Sequence, residues 1–217
     1  HLLEKIKSKV LILNNPSSVR NSPEKIFVTE FEKLMPPTLI SSDKEDISNF
    51  RRLHKDIVIK PLFANGGLGV VRLNEKDENF SSILETYSKI FFEPLVVQKF
   101  LPEVRSGDKR IILLDGEPIG AINRVPAKGE MRANLHVGAI AQKSVLTNEE
   151  IDICSAIGPK LKQMGLMLVG IDVIGNKYLT EINVTSPTGI QEINAFDQTN
   201  LQKKIWDKIE QKLKEKL

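Results

Sequence analysis

The stretch GIDVIGNKYLTEINVTSPTGI, residues 170–190, decides how the rest of the chain is organised. β-Branched and aromatic residues dominate the two runs 169–174 and 178–184, and such residues favour strands. Gly175 and Asn176 lie between the runs and supply the residues of a tight turn. The stretch therefore predicts a β-hairpin.

Polar side chains are predicted to gather on one face of this hairpin. With a two-residue loop, Asp172 lies across from Leu179, and Leu179, Glu181 and Asn183 share its face because strand side chains alternate. Two carboxylates and one carboxamide then converge, and such oxygen donors suit a hard cation such as magnesium. A half-exposed hairpin with a merely hydrated polar face shows the same pattern, so the stretch alone leaves both interpretations open.

Composition bounds the class of protein. The 217 residues allow one large domain or two small ones, and 41% hydrophobic with 27% charged residues is typical of a globular protein. The net charge of +3 comes from 31 basic and 28 acidic residues without a long basic tract, so we expect neither a nucleic acid nor a membrane partner. No apolar run approaches the roughly 20 residues of a membrane span.

The single cysteine, Cys154, excludes an internal disulfide, and a reducing cytoplasm is the expected location. Cys154 lies on one predicted helical stripe with Ile157 and Leu161, which indicates a packed, unreactive thiol. The chain begins with His1 and has no signal-peptide apolar region. We expect a processed or truncated chain.

A glycine-rich loop predicts contact with phosphate. Asp56–Pro61 reads as a strand containing Lys60, and residues 65–69, Asn-Gly-Gly-Leu-Gly, join it to a second strand at 70–73. The loop is neither a Walker A sequence nor a dinucleotide-binding fingerprint. Glycines allow backbone N–H groups to approach phosphate oxygens, and Lys60 would add charge. A tight turn beside a chance lysine is the open alternative.

Upstream, Val10–Leu13 is predicted as a short strand. A helix is then predicted with Ser22 as N-cap and Pro23 at the first helical position, ending before Pro36. Lys25 falls in its first turn, where a cation is slightly unfavourable. A solvated lysine is the ordinary explanation.

Downstream, a strand over 95–98 leads into an irregular connector, and a hairpin around Asp115 and Gly116 carries Arg110 and Arg124 at its outer ends. Residues 125–142 form a long glycine-containing loop, which is typical of a functional or disordered segment.

Two further helices are predicted near the carboxyl end. Thr147 and Glu150 form a capping box for the first, and Gly158–Pro159 should kink or break it. Residues 200–217 predict a charged helix.

The order of these parts resembles the ATP-grasp fold, an α+β fold in which two lobes hold ATP between them. Within that superfamily the chain resembles bacterial glutathione synthetase from about Val10 to Ile193. The motifs that carry the resemblance are SPEKIF, IVIKPLFANGGLGV, VQKFLPE, SGDKRI, LLDGEPIGAINR, MRANL, IGPKLKQMGL, VGIDVIG and TEINVTSPTGI. The last is discriminating, because ligases that glutamylate protein tails or join D-alanines carry a shorter N-x-S-P or N-x-x-P ending.

The resemblance implies which residues meet ATP and the metal. The implied nucleotide-binding residues are Lys25, Lys60, Gly66, Gly67, Gln98, Lys99, Phe100, Leu101, Asp108 and Arg110, with adenine at the 98–101 connector and ribose near Asp108. The implied ligands of magnesium or manganese are Asp172, Glu181 and Asn183.

The resemblance also implies a substrate pocket. Arg110, Arg124 and Lys60 would act at the reacting groups. The implied substrate-binding residues are Arg124, Arg132, Asn134, Ser186, Pro187 and Thr188. Gly138–Ala139–Ile140 departs from the family's Gly-Gly-basic pattern, which removes support for a cationic role there.

The implied reaction joins γ-glutamylcysteine to glycine through an acyl phosphate, with ADP and phosphate released. Another carboxylate–amine ligase, acting on a protein tail or a different dipeptide, and a non-catalytic Mg-ATP-binding module remain alternatives. The resemblance implies that an amino-terminal domain precedes His1 and that the full-length protein is a homo-oligomer. Within this chain we expect a remnant and linker over 1–20, a small lobe over 21–103 and a large lobe over 104–217.

Overall fold

The computed structural model describes residues 1–216 and consists of two antiparallel sheets with helices, which confirms the predicted α+β class. The first sheet has the spatial order β1-β4-β2-β3 and is formed by β1 (Thr38–Ser41), β2 (Asp56–Pro61), β3 (Val71–Asn74) and β4 (Leu95–Lys99). The second has the order β7-β6-β5-β8-β9 and is formed by β5 (Asp108–Leu114), β6 (Glu117–Val125), β7 (Ile140–Lys143), β8 (Leu168–Ile174) and β9 (Tyr178–Asn183).

Helices cover both sheets and leave a cleft between them. They are α1 (Leu2–Ile6), α2 (Pro16–Arg20), α3 (Glu24–Phe27), α4 (Lys44–His54), α5 (Phe80–Ile90), α6 (Asn148–Gln163), α7 (Ile190–Asp197) and α8 (Leu201–Lys216), with 3₁₀ segments at Val28–Leu34, Pro102–Ser106 and Leu135–Val137. Within residues 1–216, no helix is both long and apolar enough to cross a membrane.

Each sheet has its own apolar core. Ile57, Ile59 and Val97 of the first sheet pack with Leu84 of α5, and alternation puts these strand residues on one face. The second sheet packs Ile111 and Ile171 against α6 in a larger cluster. The two cores explain why two lobes form with a crevice between them.

The predicted hairpin is confirmed, but its predicted register is wrong. Residues 175–177 form the loop, and a bulge follows between Asp172 and Val173, so that Asp172 pairs with Glu181 and not with Leu179. A bulge places two residues opposite one and shifts the pairing beyond it. The shift brings the two carboxylates directly across from each other.

The amino-terminal predictions need correction. Val10–Leu13 is irregular and not a strand. Ser22 is buried without a hydrogen bond to its hydroxyl, and Pro23 is the N-cap of α3. The helix gives way to a 3₁₀ segment over Val28–Leu34, within which Phe31 departs from helical backbone angles.

The capping box is confirmed, since Thr147 and Glu150 each bond the other's backbone N–H. Of the predicted kink or break at Gly158–Pro159, the break does not occur, because α6 continues through Pro159 to Gln163, close to the end predicted near Gly165. Packing supplies the reason: Ile157 and Leu161, on either side, are both fully buried in the second core, and that burial offsets the cost of a proline inside a helix.

The segment that carries Lys25 packs on the second sheet. Phe27 and Val28 belong to the core that contains Ile111 and Ile171, although sequence order placed them in the small lobe. The division of the chain at residues 20 and 103 remains a prediction, and this packing favours grouping the segment 24–35 with the large lobe.

Candidate active site

A cleft of about 860 Å³ lies between the two sheets. Lys60 enters it from β2, Asp172 from β8 and Glu181 from β9, while the glycine-rich loop and the 131–134 segment border its opening. The register of the hairpin and the position of the glycine loop therefore bring the predicted cation and phosphate groups into one cavity.

Two lysines meet one carboxylate inside this cleft. Lys25 Nζ lies 3.9 Å from Glu181 Oε1, and Lys60 Nζ lies 4.0 Å from the same atom. Lys25 is only 5% exposed and donates a hydrogen bond of 2.6 Å to the Ala64 carbonyl. It is therefore an oriented group of the cleft and not a solvated surface lysine.

Glu24 lies beside this cluster and was not singled out from the sequence. It is 3.3 Å from Lys25 Nζ. Burial, followed by repulsion from Glu181, raises the pKa of Glu24. Glu24 and Lys25 are neighbours of opposite charge, which is common on helix surfaces, so the sequence did not indicate that Glu24 belongs to the site.

A buried network of alternating charges forms the floor of the site. Arg110 donates to both oxygens of Asp172, at 2.5 and 3.0 Å. Arg124 Nη2 lies 3.0 Å from Asp172 Oδ2 and 2.9 Å from Asp108 Oδ2. All four residues lie on the adjacent strands β5, β6 and β8, where pairing sets Arg110 beside Asp172 and Asp108 beside Arg124.

Burial and pairing shift the pKa values of this network in opposite directions. Burial disfavours the Asp172 carboxylate, but attraction to Arg110 and Arg124 outweighs it, and the pKa of Asp172 is lowered. Burial dominates at Asp108 and raises its pKa to about 6, against the attraction of Arg124. Asp172 is thus held as a carboxylate.

The hairpin residues fit a hard cation, with help from phosphate oxygens. Asp172 and Glu181 are directly opposed, and Glu181 receives no hydrogen bond among residues 1–216. Asn183 Oδ1 accepts from the backbone N–H groups of Thr185 and Ser186, at 3.0 Å each. No cluster of three His, Cys, Asp or Glu side chains in the described chain could hold a metal alone. Magnesium commonly binds one or two carboxylates and completes its shell with water and phosphate.

The glycine-rich loop and the 131–136 segment are in close contact. Gly66 and Gly67 both have positive φ, and a Cβ at Gly66 would lie 2.6 Å from His136 Nε2. A Cβ at Gly67 would lie 2.8 Å from Asn134 Oδ1. Arg132 Nη1 also donates to the Gly67 carbonyl at 3.4 Å. These two glycines are therefore required for the approach of the two segments.

The connector after β4 lines the opposite end of the cleft. Phe100 and Leu101 are buried, and the Gln98 amide donates to Thr38 Oγ1 at 3.0 Å. The Lys99 and Phe100 N–H groups bond the Pro37 and Asp56 carbonyls, whereas no such bond engages Leu101 N–H in the described chain. This leaves an apolar wall with one free backbone donor.

A second cavity of about 1280 Å³ adjoins the first and shares Glu24, Asn65, Gly66, Asn134 and Glu181 with it. Of the predicted reacting and substrate-binding residues, those that line it are Arg110, Arg124, Asn134, Ser186 and Thr188, with Asn183 from the predicted metal set.

Two predicted substrate residues lie elsewhere. Arg132 lines the first cleft and is held by Glu130, 2.6 Å away. Pro187 packs under β8, where its Cβ is 2.7 Å from the position of a Cβ on Gly170. His136 also lines the second cavity. The only sequence feature that pointed to a functional role for His136 was its position in the long loop over residues 125–142.

The comparisons with known proteins agree with this geometry. Residues 24–198 match the family model described as prokaryotic glutathione synthetase, ATP-grasp domain. Glutathione synthetase of Brucella melitensis is 56% identical over 210 residues, covering 97% of this chain and 67% of the relative. That of Synechocystis is 46% identical over 198 residues, covering 91% and 62%.

Solved structures show the same fold at low sequence identity. The ATP-grasp ligase PsnB complexed with a minimal precursor superposes with a TM-score of 0.71 at 18% identity, covering 96% of this chain and 66% of that one. The D-alanine–D-alanine ligase of Bacillus anthracis in complex with ATP gives 0.66 at 19% identity, covering 94% and 71%.

The two-lobed fold and the lysine, carboxylate and glycine-loop arrangement define an ATP-grasp ligase, which confirms the predicted class. The chain belongs to the prokaryotic glutathione synthetase family, as the resemblance predicted. It spans about two thirds of the length of the curated relatives it matches.

Proposed function

We propose that the chain uses ATP and magnesium or manganese to join γ-glutamylcysteine to glycine, forming glutathione, ADP and phosphate. The observation that carries the proposal is the meeting of two cavities. Lys25, Lys60 and Glu181 converge where the first cleft opens into the second. A phosphoryl group held by the lysines would thus face a substrate in the second cavity.

We place the nucleotide in the first cleft with its base at the 98–101 connector and its phosphates at Lys25 and Lys60. The apolar connector with the free Leu101 N–H suits a flat base, and the lysine end suits the phosphates. Gly66 and Gly67 allow backbone N–H groups to lie against phosphate oxygens. Asp172 and Glu181 would hold the cation, which supplies neutralisation of charge on the β- and γ-phosphates.

The chemistry requires activation of a carboxylate. A substrate carboxylate oxygen attacks the γ-phosphorus, ADP leaves, and an acyl phosphate forms. The glycine amine then attacks the acyl carbon, phosphate leaves, and the amine loses a proton. Lys60 and Arg110 add fixed positive charge near the transferred phosphoryl group.

Water must be excluded while the acyl phosphate exists. The 131–136 segment contacts the glycine loop through His136 and Asn134 and covers the boundary of the two cavities. Contact of this kind protects a hydrolysable intermediate.

The test uses the complete protein with ATP, magnesium, γ-glutamylcysteine and glycine, and measures ADP release with and without glycine. Glycine-dependent ADP together with glutathione is expected. ADP that appears only with another acceptor, such as D-alanine or a glutamate-ended peptide, would assign a different carboxylate–amine ligase. Nucleotide binding without turnover would support a binding module. Small-molecule substrates, a cytoplasmic location and homo-oligomerisation of the full-length protein belong to this proposal.

A further inference from the structure

Glu24 lies where the two cavities meet. It lines both of them, and its side chain is 26% exposed. Lys25 Nζ lies 3.3 Å from Glu24 Oε1, but the shorter bond of this ammonium group, 2.6 Å, goes to the Ala64 carbonyl. The other oxygen of Glu24, Oε2, accepts no hydrogen bond within residues 1–216. Lys25 is therefore held chiefly by Ala64, and the Glu24 carboxylate keeps the capacity to bind another group.

The charges that line the second cavity differ in what they can bind. Arg110 and Arg124 suit the carboxylates of a substrate. Of the two acidic residues described in its lining, Glu181 lies about 4 Å from both lysines and is a proposed ligand of the cation. Glu24 is the other, and within the described chain its one ion pair is with Lys25. Glu24 is therefore the carboxylate that this cavity can offer to a positively charged substrate group.

The distance between Glu24 and Lys25 indicates which substrate group this is. In the proposed reaction Lys25 and Lys60 hold phosphate, and the acyl phosphate forms beside them. Because Glu24 Oε1 is 3.3 Å from Lys25 Nζ, a group bound to the Glu24 carboxylate lies next to that phosphate. The acceptor amine has to reach the acyl carbon at this place, and positioning of this kind contributes strongly to rate.

The charge of the acceptor gives a second reason. An amino acid arrives at neutral pH with its amino group protonated, and an ammonium group that leaves water without a counter-charge is strongly unfavourable. When phosphate oxygens engage Lys25, the attraction between Lys25 and Glu24 weakens, and a second ammonium group can take its place at the carboxylate. Bound nucleotide should therefore favour binding of the acceptor.

We propose that Glu24 is an acceptor-binding residue: its carboxylate receives the ammonium group of the incoming amino acid and orients the nitrogen toward the acyl phosphate. The inference deepens the proposed function and rests on it for the identity of the acceptor as glycine. If Glu24 only balanced the charge of Lys25, its removal would act on the nucleotide and not on the acceptor.

The test compares the complete wild-type protein with Glu24→Gln and Glu24→Asp. Glu30→Gln is the matched control, because Glu30 also pairs with a lysine, Lys160, but lines neither cavity. In Glu24→Gln we expect KM for glycine to rise by about tenfold or more, since the ammonium group loses its partner. The rise should be smaller in Glu24→Asp, and KM for γ-glutamylcysteine should stay close to the wild-type value. Glu30→Gln should behave as the wild type.

An uncharged acceptor separates ammonium binding from an effect on the acyl phosphate. Hydroxylamine is mostly uncharged at neutral pH; its nitrogen attacks the acyl carbon, phosphate leaves, and a hydroxamate forms. With ATP and γ-glutamylcysteine, Glu24→Gln should form hydroxamate at nearly the wild-type rate. If hydroxamate formation falls as much as glutathione formation does, Glu24 acts on the nucleotide or the acyl phosphate, and the inference is overturned.

Calorimetry with magnesium ADP gives a readout that does not require turnover. The dissociation constant should change much less in Glu24→Gln than KM for glycine does. A change as large as that in KM would place the effect at Lys25 and overturn the inference. An unchanged KM for glycine, or a rise confined to KM for γ-glutamylcysteine, would overturn it as well.

Two outcomes have their own interpretation. If Glu24→Gln does not fold, Glu24→Asp carries the same comparisons. A wild-type protein that makes no glutathione but forms a product with another amine contradicts the proposed function alone. In that case KM for the other amine should rise in Glu24→Gln, and an unchanged value would overturn the inference too.

Discussion

The hairpin carboxylates Asp172 and Glu181 should differ sharply in what they contribute to stability. Their side chains are 6% and 22% exposed. Asp172 is bonded to Arg110 and paired with Arg124, whereas Glu181 lies about 4 Å from two lysines without a hydrogen bond. We therefore compare Asp172→Asn with Glu181→Gln, two substitutions that remove a charge at nearly constant volume.

The expected magnitudes follow from burial. Removing one partner of a buried ion pair leaves an uncompensated charge and costs about 3–5 kcal/mol. Asp172→Asn leaves Arg110, whose side chain is 7% exposed, without a paired carboxylate, and leaves Arg124, 4% exposed, with Asp108 as its remaining partner. The looser contacts of Glu181 support an effect of about 1 kcal/mol or less. For a chain of this size, each kcal/mol shifts Tm by roughly 2–4 °C, so Asp172→Asn should lower Tm by roughly 6–20 °C.

The assay is thermal unfolding of the complete protein without nucleotide or metal, with urea unfolding as a second measure of stability, followed by magnesium titration of ADP release. Both variants should weaken magnesium-dependent turnover at least tenfold, about 1.4 kcal/mol. Equal unfolding midpoints for the two variants would show that the buried network does not stabilise the fold. An unchanged magnesium titration in Glu181→Gln would remove Glu181 from the ligand set.

Two further predictions concern the loop contact and the thiol. Gly66→Ala should raise KM for ATP several-fold, because the added Cβ would collide with His136. Gly129→Ala is the control: Gly129 also has positive φ, but a Cβ there would have no neighbour within 4 Å, and KM for ATP should not rise. The double variant Gly66→Ala/His136→Ala should recover part of the lost affinity; a double variant no better than Gly66→Ala would show that His136 is not the obstacle. Burial raises the pKa of the Cys154 thiol to about 12 from 9, so above pH 9 the unfolded thiol ionises while the folded one does not. The free energy of unfolding should therefore fall as pH rises beyond 9, and it should fall less in Cys154→Ala. The thiol of the native protein should also resist alkylation until urea is added. Equal slopes of unfolding free energy against pH in the two proteins, or fast alkylation of the native protein, would contradict this prediction.

Local sequence patterns predicted the elements that have strong local signals. The apolar run of β2, the glycine loop after it and the capping box at Thr147 need no knowledge of distant residues. Between Ser41 and Asp56 the signal is weak, because α4 (KEDISNFRRLH) is mostly polar and buries Ile47 alone.

The charge network of the site could not be predicted from the sequence. Asp108 and Arg124 are sixteen residues apart, and Arg110 and Asp172 are sixty-two apart. Their contacts depend on the registers of β5 with β6 and with β8, which set Asp108 beside Arg124 and Arg110 beside Asp172. The resemblance placed these residues near the reaction, but only tertiary pairing decides which carboxylate binds which guanidinium.

Lys25 and Lys60 both lie about 4 Å from Glu181, so the charge bound in the cleft should decide how closely the two lobes approach each other. Lys25 lies on α3, whose Phe27 packs in the core of the second sheet, and Lys60 belongs to the first sheet. Any closer approach of the two lobes would therefore bring two ammonium groups nearer to each other. Glu181 faces both lysines. Its capture by a cation would leave Lys25 with Glu24 and Lys60 without a carboxylate within 4 Å among residues 1–216. An anion with several negative charges is then needed to hold the lobes shut. Polyphosphate charge, and not the base, should set how tightly the two lobes close, with ATP and ADP favouring closure more than AMP.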